Sequence, residues 1–143
     1  MTRLFLAIIS LFLLSDLAAQ NAQDYAGVQR AVRYYLDGGT NNDFTTLEKA
    51  FHPEATMQFI NGQGKHVSVN AVEFFRNGMK PGPPSDRQTR VSSIEINGNA
   101  ASARLEIDYA TFRFIDYMNL LKIDGEWKIV SKIFFREMRP KTQ

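Results

Sequence analysis

From Ala100 to Phe135, apolar side chains recur at every second position through three successive segments parted by short turns, a period that fits β-strands rather than helices. In Ala100 to Ala110, Ala101, Ala103, Leu105, Ile107 and Tyr109 share one face, and Ser102, Arg104, Glu106 and Asp108 share the other. In Phe112 to Ile123, Phe112, Phe114, Met118 and Leu120 have one parity; Ile115, Tyr117, Leu121 and Ile123 have the opposite one. Asp124-Gly125 turns the chain into Glu126 to Phe135, where Trp127, Ile129, Ile133 and Phe135 share a face and Val130 and Phe134 take the other. A strand apolar on both sides needs cover on both sides. Helices supply one cover, and a second copy of the chain is the expected other, so a homodimer through the sheet is predicted.

The preceding half supplies the helices. Gln88 to Asn97 leads into this three-stranded meander through the turn Asn97-Gly98-Asn99. Val28, Ala31, Val32, Tyr35 and Leu36 recur at helical spacing, with Asp24 placed to cap and Gly38-Gly39 to terminate. A short second helix, capped by Asn42 or Asp43, carries Phe44, Leu47, Ala50 and Phe51 and is stopped by Pro53. Ala55 to Ile60 and Lys65 to Val69 form a hairpin around Asn61-Gly62-Gln63-Gly64, and Asn70 caps a third helix ending near Gly78. The glycines and prolines between Gly78 and Ser85 make an extended loop. Helices segregated from an antiparallel sheet define the α+β class.

The N-terminus indicates compartment. Arg3, the apolar run Leu4 to Leu14 and the small pair Ala18-Ala19 outline a secretory signal, so residues 1–19 are expected to be removed and 20–143 to fold as one domain. The chain has no cysteine, which rules out disulfides and a lipid-modified cysteine; packing alone must hold an exported domain together. A periplasmic or secreted location follows, with no membrane contact after signal removal. The net charge of +2 is scattered, and its one basic cluster is Arg136, Arg139 and Lys141, so no nucleic-acid stripe is present.

Phe51-His52-Pro53-Glu54-Ala55, and above all the string from Phe114 through Asp116-Tyr117, Leu120-Leu121-Lys122-Ile123-Asp124-Gly125, Trp127-Lys128-Ile129-Val130 to Lys132, resemble the NTF2-like superfamily. Within it, the chain is similar to the "putative lumazine-binding", SnoaL-like branch over about residues 25–136. The resemblance implies a cone: a strongly curved antiparallel sheet wrapped around three N-terminal helices, with a pocket at its open end.

Enzymes on that scaffold need an acid or base in the pocket. Steroid-isomerase relatives place an aspartate on the strand that is Ala55 to Ile60 here, but this strand has no carboxylate and Phe59 stands near that place. Dehydratase relatives use a histidine near an aspartate. His52 reads as a helix-end residue closing free carbonyls. His66, on the short second strand, could meet Asp108 or Asp116 across the sheet as a general acid or base, with Tyr117 polarising a substrate; an exposed edge histidine is the plainer reading. Asp116 interrupts an apolar strand and needs a cation or water; Lys132 is its expected cross-strand partner. Glu106, Asp108 and Arg104 read as a solvated, self-neutralising surface. Among Tyr34, Tyr35, Tyr109 and Tyr117, some could stack on a planar heterocycle, whereas Tyr35 lies on the helical core stripe.

Tyr35, Phe59, His66, Tyr109, Asp116 and Lys132 are therefore the candidate ligand-binding residues, and His66, Asp116 and Tyr117 the candidate catalytic ones. The two histidines stand apart without carboxylates at ligand spacing, and no phosphate-cradling glycine loop or nucleophile motif occurs, so neither a metal nor a cofactor is expected. Three functions remain: a pocket protein for a small, partly aromatic organic ligand; a cofactor-independent lyase or isomerase; and an interaction module whose cone is filled by its own side chains.

Overall fold

A computed structural model describes residues 2–139, with side chains from Gln20 onward. The side chains of the expected leader, 1–19, and Lys141 lie outside the described residues. In chain order the elements are α1 (Thr2–Asn41), α2 (Phe44–Glu48), β1 (Phe51–Ile60), β2 (His66–Asn70), α3 (Ala71–Gly78), β3 (Gln88–Asn97), β4 (Ala100–Asp108), β5 (Phe112–Ile123) and β6 (Glu126–Met138). The six strands form one unclosed sheet in the order β2-β1-β6-β5-β4-β3, antiparallel except for the parallel β1–β6 pair. Only α1 and α2 precede the sheet; α3 follows the hairpin, so the expectation of three N-terminal helices is corrected.

The α1 stripe Val28, Ala31, Val32, Tyr35 and Leu36 is buried against the inner face, which carries Met57, Leu105, Ile107, Met118, Leu120 and Ile129. Two expectations for α1 fail. Asp24 is not a cap but lies within the helix, where it accepts from Trp127 Nε1 at 3.1 Å and from Lys122 Nζ at 2.7 Å. Gly38-Gly39 does not end α1 either. A Cβ on Gly38 would lie 2.5 Å from the Leu47 backbone nitrogen, so this glycine permits close approach of α2. The chain turns instead at Asn42, whose φ of 54 is left-handed.

Asp43 caps α2 through the Thr46 N–H at 3.1 Å, and Asn70 caps α3 through the Glu73 N–H at 2.9 Å. Strand β1 begins earlier than expected. Phe51 is a strand residue paired with Ile129, and Pro53 falls in the register shift between Phe51 and Thr56, where no ladder N–H is needed. His52 accepts the Glu54 N–H on Nδ1 at 3.2 Å and does not close a helix end.

The parity of β6 is broken. Leu120 pairs with Ile129 but Asn119 pairs with Ser131, which makes Val130 an extra residue. The two halves of β6 consequently show opposite parities to the core. Trp127 and Ile129 face inward with Lys132, whereas Ile133 and Phe135, expected beside them, lie on the outer face and are exposed. Further shifts between Val91 and Ser93 and between Phe51 and Thr56 bend the sheet.

Candidate functional site

Asp116 occupies the middle of β5 on the inner face, in register with Leu105 of β4 and Phe134 of β6, and has 0% exposure. An ionised carboxylate in such surroundings costs several kcal/mol unless its charge and lone pairs are met. Both are. Lys132, brought inward by the Val130 bulge, reaches diagonally across the β5–β6 pair and donates from Nζ to Oδ1 at 2.8 Å. Tyr35, on the buried stripe of α1, donates its hydroxyl to Oδ2 at 2.7 Å. Among the described residues no buried side-chain nitrogen or oxygen lacks a partner.

Burial dominates the protonation behaviour. It draws the Lys132 ammonium below the ordinary lysine range, with Asp116 opposing that shift. Burial, then the negative charge of Asp116, pushes the Tyr35 hydroxyl well above its usual value, so it remains a donor.

The triad is walled by aromatic rings. Lys132 Nζ lies 4.0 Å from the Phe134 ring centroid and 5.6 Å from that of Tyr35, both within cation–π range. Phe134 packs on Phe59 at 4.8 Å and on Phe114 at 5.5 Å, and Phe114 continues through Phe112 to Tyr109. Phe59, Phe112, Phe114, Phe134 and Tyr109 are each half-buried, so this wall runs from a dry interior to solvent. Arg87 anchors its far end, donating to the Tyr109 hydroxyl at 2.9 Å and to Thr40 Oγ1 and the Leu36 carbonyl of α1, each at 3.0 Å.

Of the expected site residues, Tyr35, Asp116 and Lys132 converge, and Phe59 and Tyr109 belong to the same wall. His66 and Tyr117 do not. Tyr117 follows Asp116 in β5 and therefore points to the opposite face, where it pairs with Ile133. His66 is exposed beside Gln58, 3.1 Å away, at the rim of an outer-face recess of about 340 Å³ that Tyr117 and Ile133 also line. The expected acid–base pair of His66 with Asp116, polarised by Tyr117, is thus divided between the two faces of the sheet and is discarded. Glu106 is also corrected: it is buried, not solvated, beneath Arg90 and Arg104.

Two contributions escaped sequence reading. Tyr35 was expected for stacking or packing; the bond its hydroxyl makes to Asp116, across 81 residues, carried no signal in the sequence. Arg87, on the loop before β3, carried no signal at all.

Residues 23–135 match the family described as "Putative lumazine-binding". The chain belongs to that family. Two solved NTF2-like proteins, both described as of unknown function, share its fold. The one from Shewanella baltica OS155 is 31% identical, with a TM-score of 0.73 over 84% of this chain and 97% of that one. The one from Methylobacillus flagellatus KT is 28% identical, with a TM-score of 0.70 over 82% and 94%. The chain is also 22% identical to Aldolase FrzH of Cladobotryum sp, over 79% of this chain and 91% of the aldolase. This NTF2-like protein is therefore a ligand-binding type of α+β fold whose inner sheet face holds a charged triad behind aromatic rings.

Proposed function

We propose that this lumazine-binding-family protein is exported and binds a small, planar, partly aromatic molecule at the Tyr35–Asp116–Lys132 triad. The carrying observation is the pairing of a dry ion pair with rings that are half-open to solvent. Phe59, Phe114 and Phe134 offer stacking surfaces, and Lys132 offers a buried donor to a carbonyl or carboxylate oxygen. A thermal-shift screen of pterins, flavins and smaller heterocycles tests it. Ligands bearing a carbonyl should raise the melting temperature of the wild-type protein and leave Phe134→Ala unshifted. A broad panel that shifts neither protein would end the proposal.

The similarity to an aldolase favours a second reading, a cofactor-independent lyase acting on a carbon–carbon bond beside a carbonyl. Its acid–base groups would be those of the inner triad, not His66. Retro-aldol turnover of β-hydroxy carbonyl compounds, lost in Asp116→Asn, would support it; turnover that persists in that variant would remove the triad from the chemistry.

The outer face supports a dimer of this NTF2-like chain. Ile60, Tyr117, Ile133 and Phe135 are exposed there across three neighbouring strands, a patch that a second copy would cover. Sedimentation at micromolar concentration should give twice the chain mass, and Ile133→Asp should return it to one chain. A wild-type mass of one chain would refute the pairing.

A further inference from the structure

We propose that Lys132 is an amine nucleophile that captures the carbonyl carbon of a small conjugated aldehyde as an imine, with Asp116 as its proton partner. The inference rests on the reading that the inner triad is open to a ligand, and adds a covalent step to it.

The site is balanced in charge. Lys132 and Asp116 are 3% and 0% exposed, and a single 2.8 Å hydrogen bond joins Nζ to Oδ1. Moving the proton along that bond converts an ion pair into a neutral amine and a neutral acid. In a dry site the charged pair loses most of its hydration, so the neutral pair lies closer in energy than it would in water. The titratable and charged groups facing Lys132 are Asp116 and Tyr35, with Tyr109 and Arg87 beyond them. Tyr35 holds its proton, which leaves Asp116 as the base. Burial draws Lys132 in the direction a nucleophilic amine requires.

Contrast with other lysines of the chain is clear. Lys122 and Lys128 are ion-paired in partly exposed settings, with Asp24 at 2.7 Å and Glu126 at 3.0 Å. Among the described residues only Lys132 pairs deep burial with an aromatic wall, through Phe134 at 4.0 Å. That wall selects the carbonyl class: a flat, conjugated aldehyde can stack on Phe134 or Phe59 while its carbonyl carbon meets Nζ.

The step balances without an added oxidant or cofactor. The Lys132 proton passes to Asp116; the amine lone pair then forms the C–N bond as the carbonyl π pair moves to oxygen. That oxygen takes the Asp116 proton, giving a carbinolamine whose nitrogen carries two protons and the positive charge, with Asp116 again a carboxylate. Loss of its hydroxyl with one of those protons leaves a protonated imine and one water. The protonated imine so placed withdraws electrons from the neighbouring carbon, which the lyase reading requires.

Reductive trapping tests this on the intact protein. Benzaldehyde and sodium cyanoborohydride at pH 7, followed by peptide mass mapping, should place an N-benzyl group on Lys132 faster than on any other lysine. Lys132→Arg keeps the cation facing Asp116 and should lose that fast adduct. Labelling spread over other lysines with Lys132 untouched, in protein of native circular dichroism, would overturn the proposal. So would a fast adduct that survives in Lys132→Arg. A thermal shift by benzaldehyde or a heterocycle without trapping would sink the amine chemistry and leave the binding reading standing; absence of both would sink the two together.

Discussion

Asp116 and Glu106 are both carboxylates buried in the same sheet, yet they are neutralised in opposite ways. Asp116, on the inner face, has one cation and one hydroxyl, and Lys132 is itself buried. Glu106, on the outer face, is crowded by Arg90, Arg104 and Arg113, the last at 3.7 Å, and by Ser92 at 3.1 Å. The side chain of Arg90 is 64% exposed, and those of Arg104 and Arg113 are 32% and 31% exposed. The outer centre has more positive than negative charge, and water reaches its cations. The inner centre has one charge of each sign, and both are buried. The first is a clamp that tolerates the loss of a member. The second has nothing in reserve, and any ligand group that enters must share the donors of Lys132 or Tyr35.

That contrast predicts a hierarchy of losses. Lys132→Met leaves Asp116 charged, buried and short of its cation, and should cost about 3–5 kcal/mol in urea unfolding. Pairing it with Asp116→Leu removes the stranded charge and should restore most of the loss. A Lys132→Met protein within about 1 kcal/mol of wild type would mean that water already reaches Asp116, and would erase the distinction between the faces.

Tyr35→Phe removes one hydrogen bond to a buried charge and keeps the ring packed on Phe51 and Phe75, at 5.7 and 5.8 Å. The expected cost is about 2 kcal/mol, from a donor lost to a carboxylate that water cannot reach. Combined with Lys132→Met, the two losses should be non-additive, because both act on Asp116. Additive losses in a double-mutant cycle would place the two donors in separate networks.

The sequence made the element types legible, and it made Asp116 conspicuous as a carboxylate in an apolar strand that called for Lys132. What stayed illegible has one main cause. A strand's period of two carries no mark of an inserted residue, so one bulge at Val130 parts Ile133 and Phe135 from the face of Trp127 and Ile129, which they were expected to share, and turns them outward. The same bulge brings Lys132 inward. Glycine was ambiguous for a similar reason: Gly38 signals a helix end by composition, but only the α2 backbone pressed against it shows that it serves a close approach. His66 and Tyr117 failed as site residues because alternation puts Tyr117 opposite Asp116 and register puts His66 opposite Ile60 on the outer face.

Glu106→Gln should have the smallest effect of the three, and its signature is in pH. The Arg104 hydrogen bond above all, then those of Arg90 and Ser92, hold the Glu106 carboxyl down from its ordinary 4.5 to about 2, with desolvation opposing. A depressed folded-state pKa means that its contribution is complete above about 4.5 and disappears as pH falls through about 2. Wild-type stability should therefore fall across that window, and Glu106→Gln should fall less steeply, because it has no such proton to take up. Because the arginines are partly exposed, molar salt should narrow the gap between the two proteins, whereas the Lys132→Met loss in the dry site should change little. Parallel acid limbs for wild type and Glu106→Gln would mean that the arginines do not act on Glu106 in solution, and an equal salt response at the two centres would remove the difference in water access on which the comparison of the two faces depends.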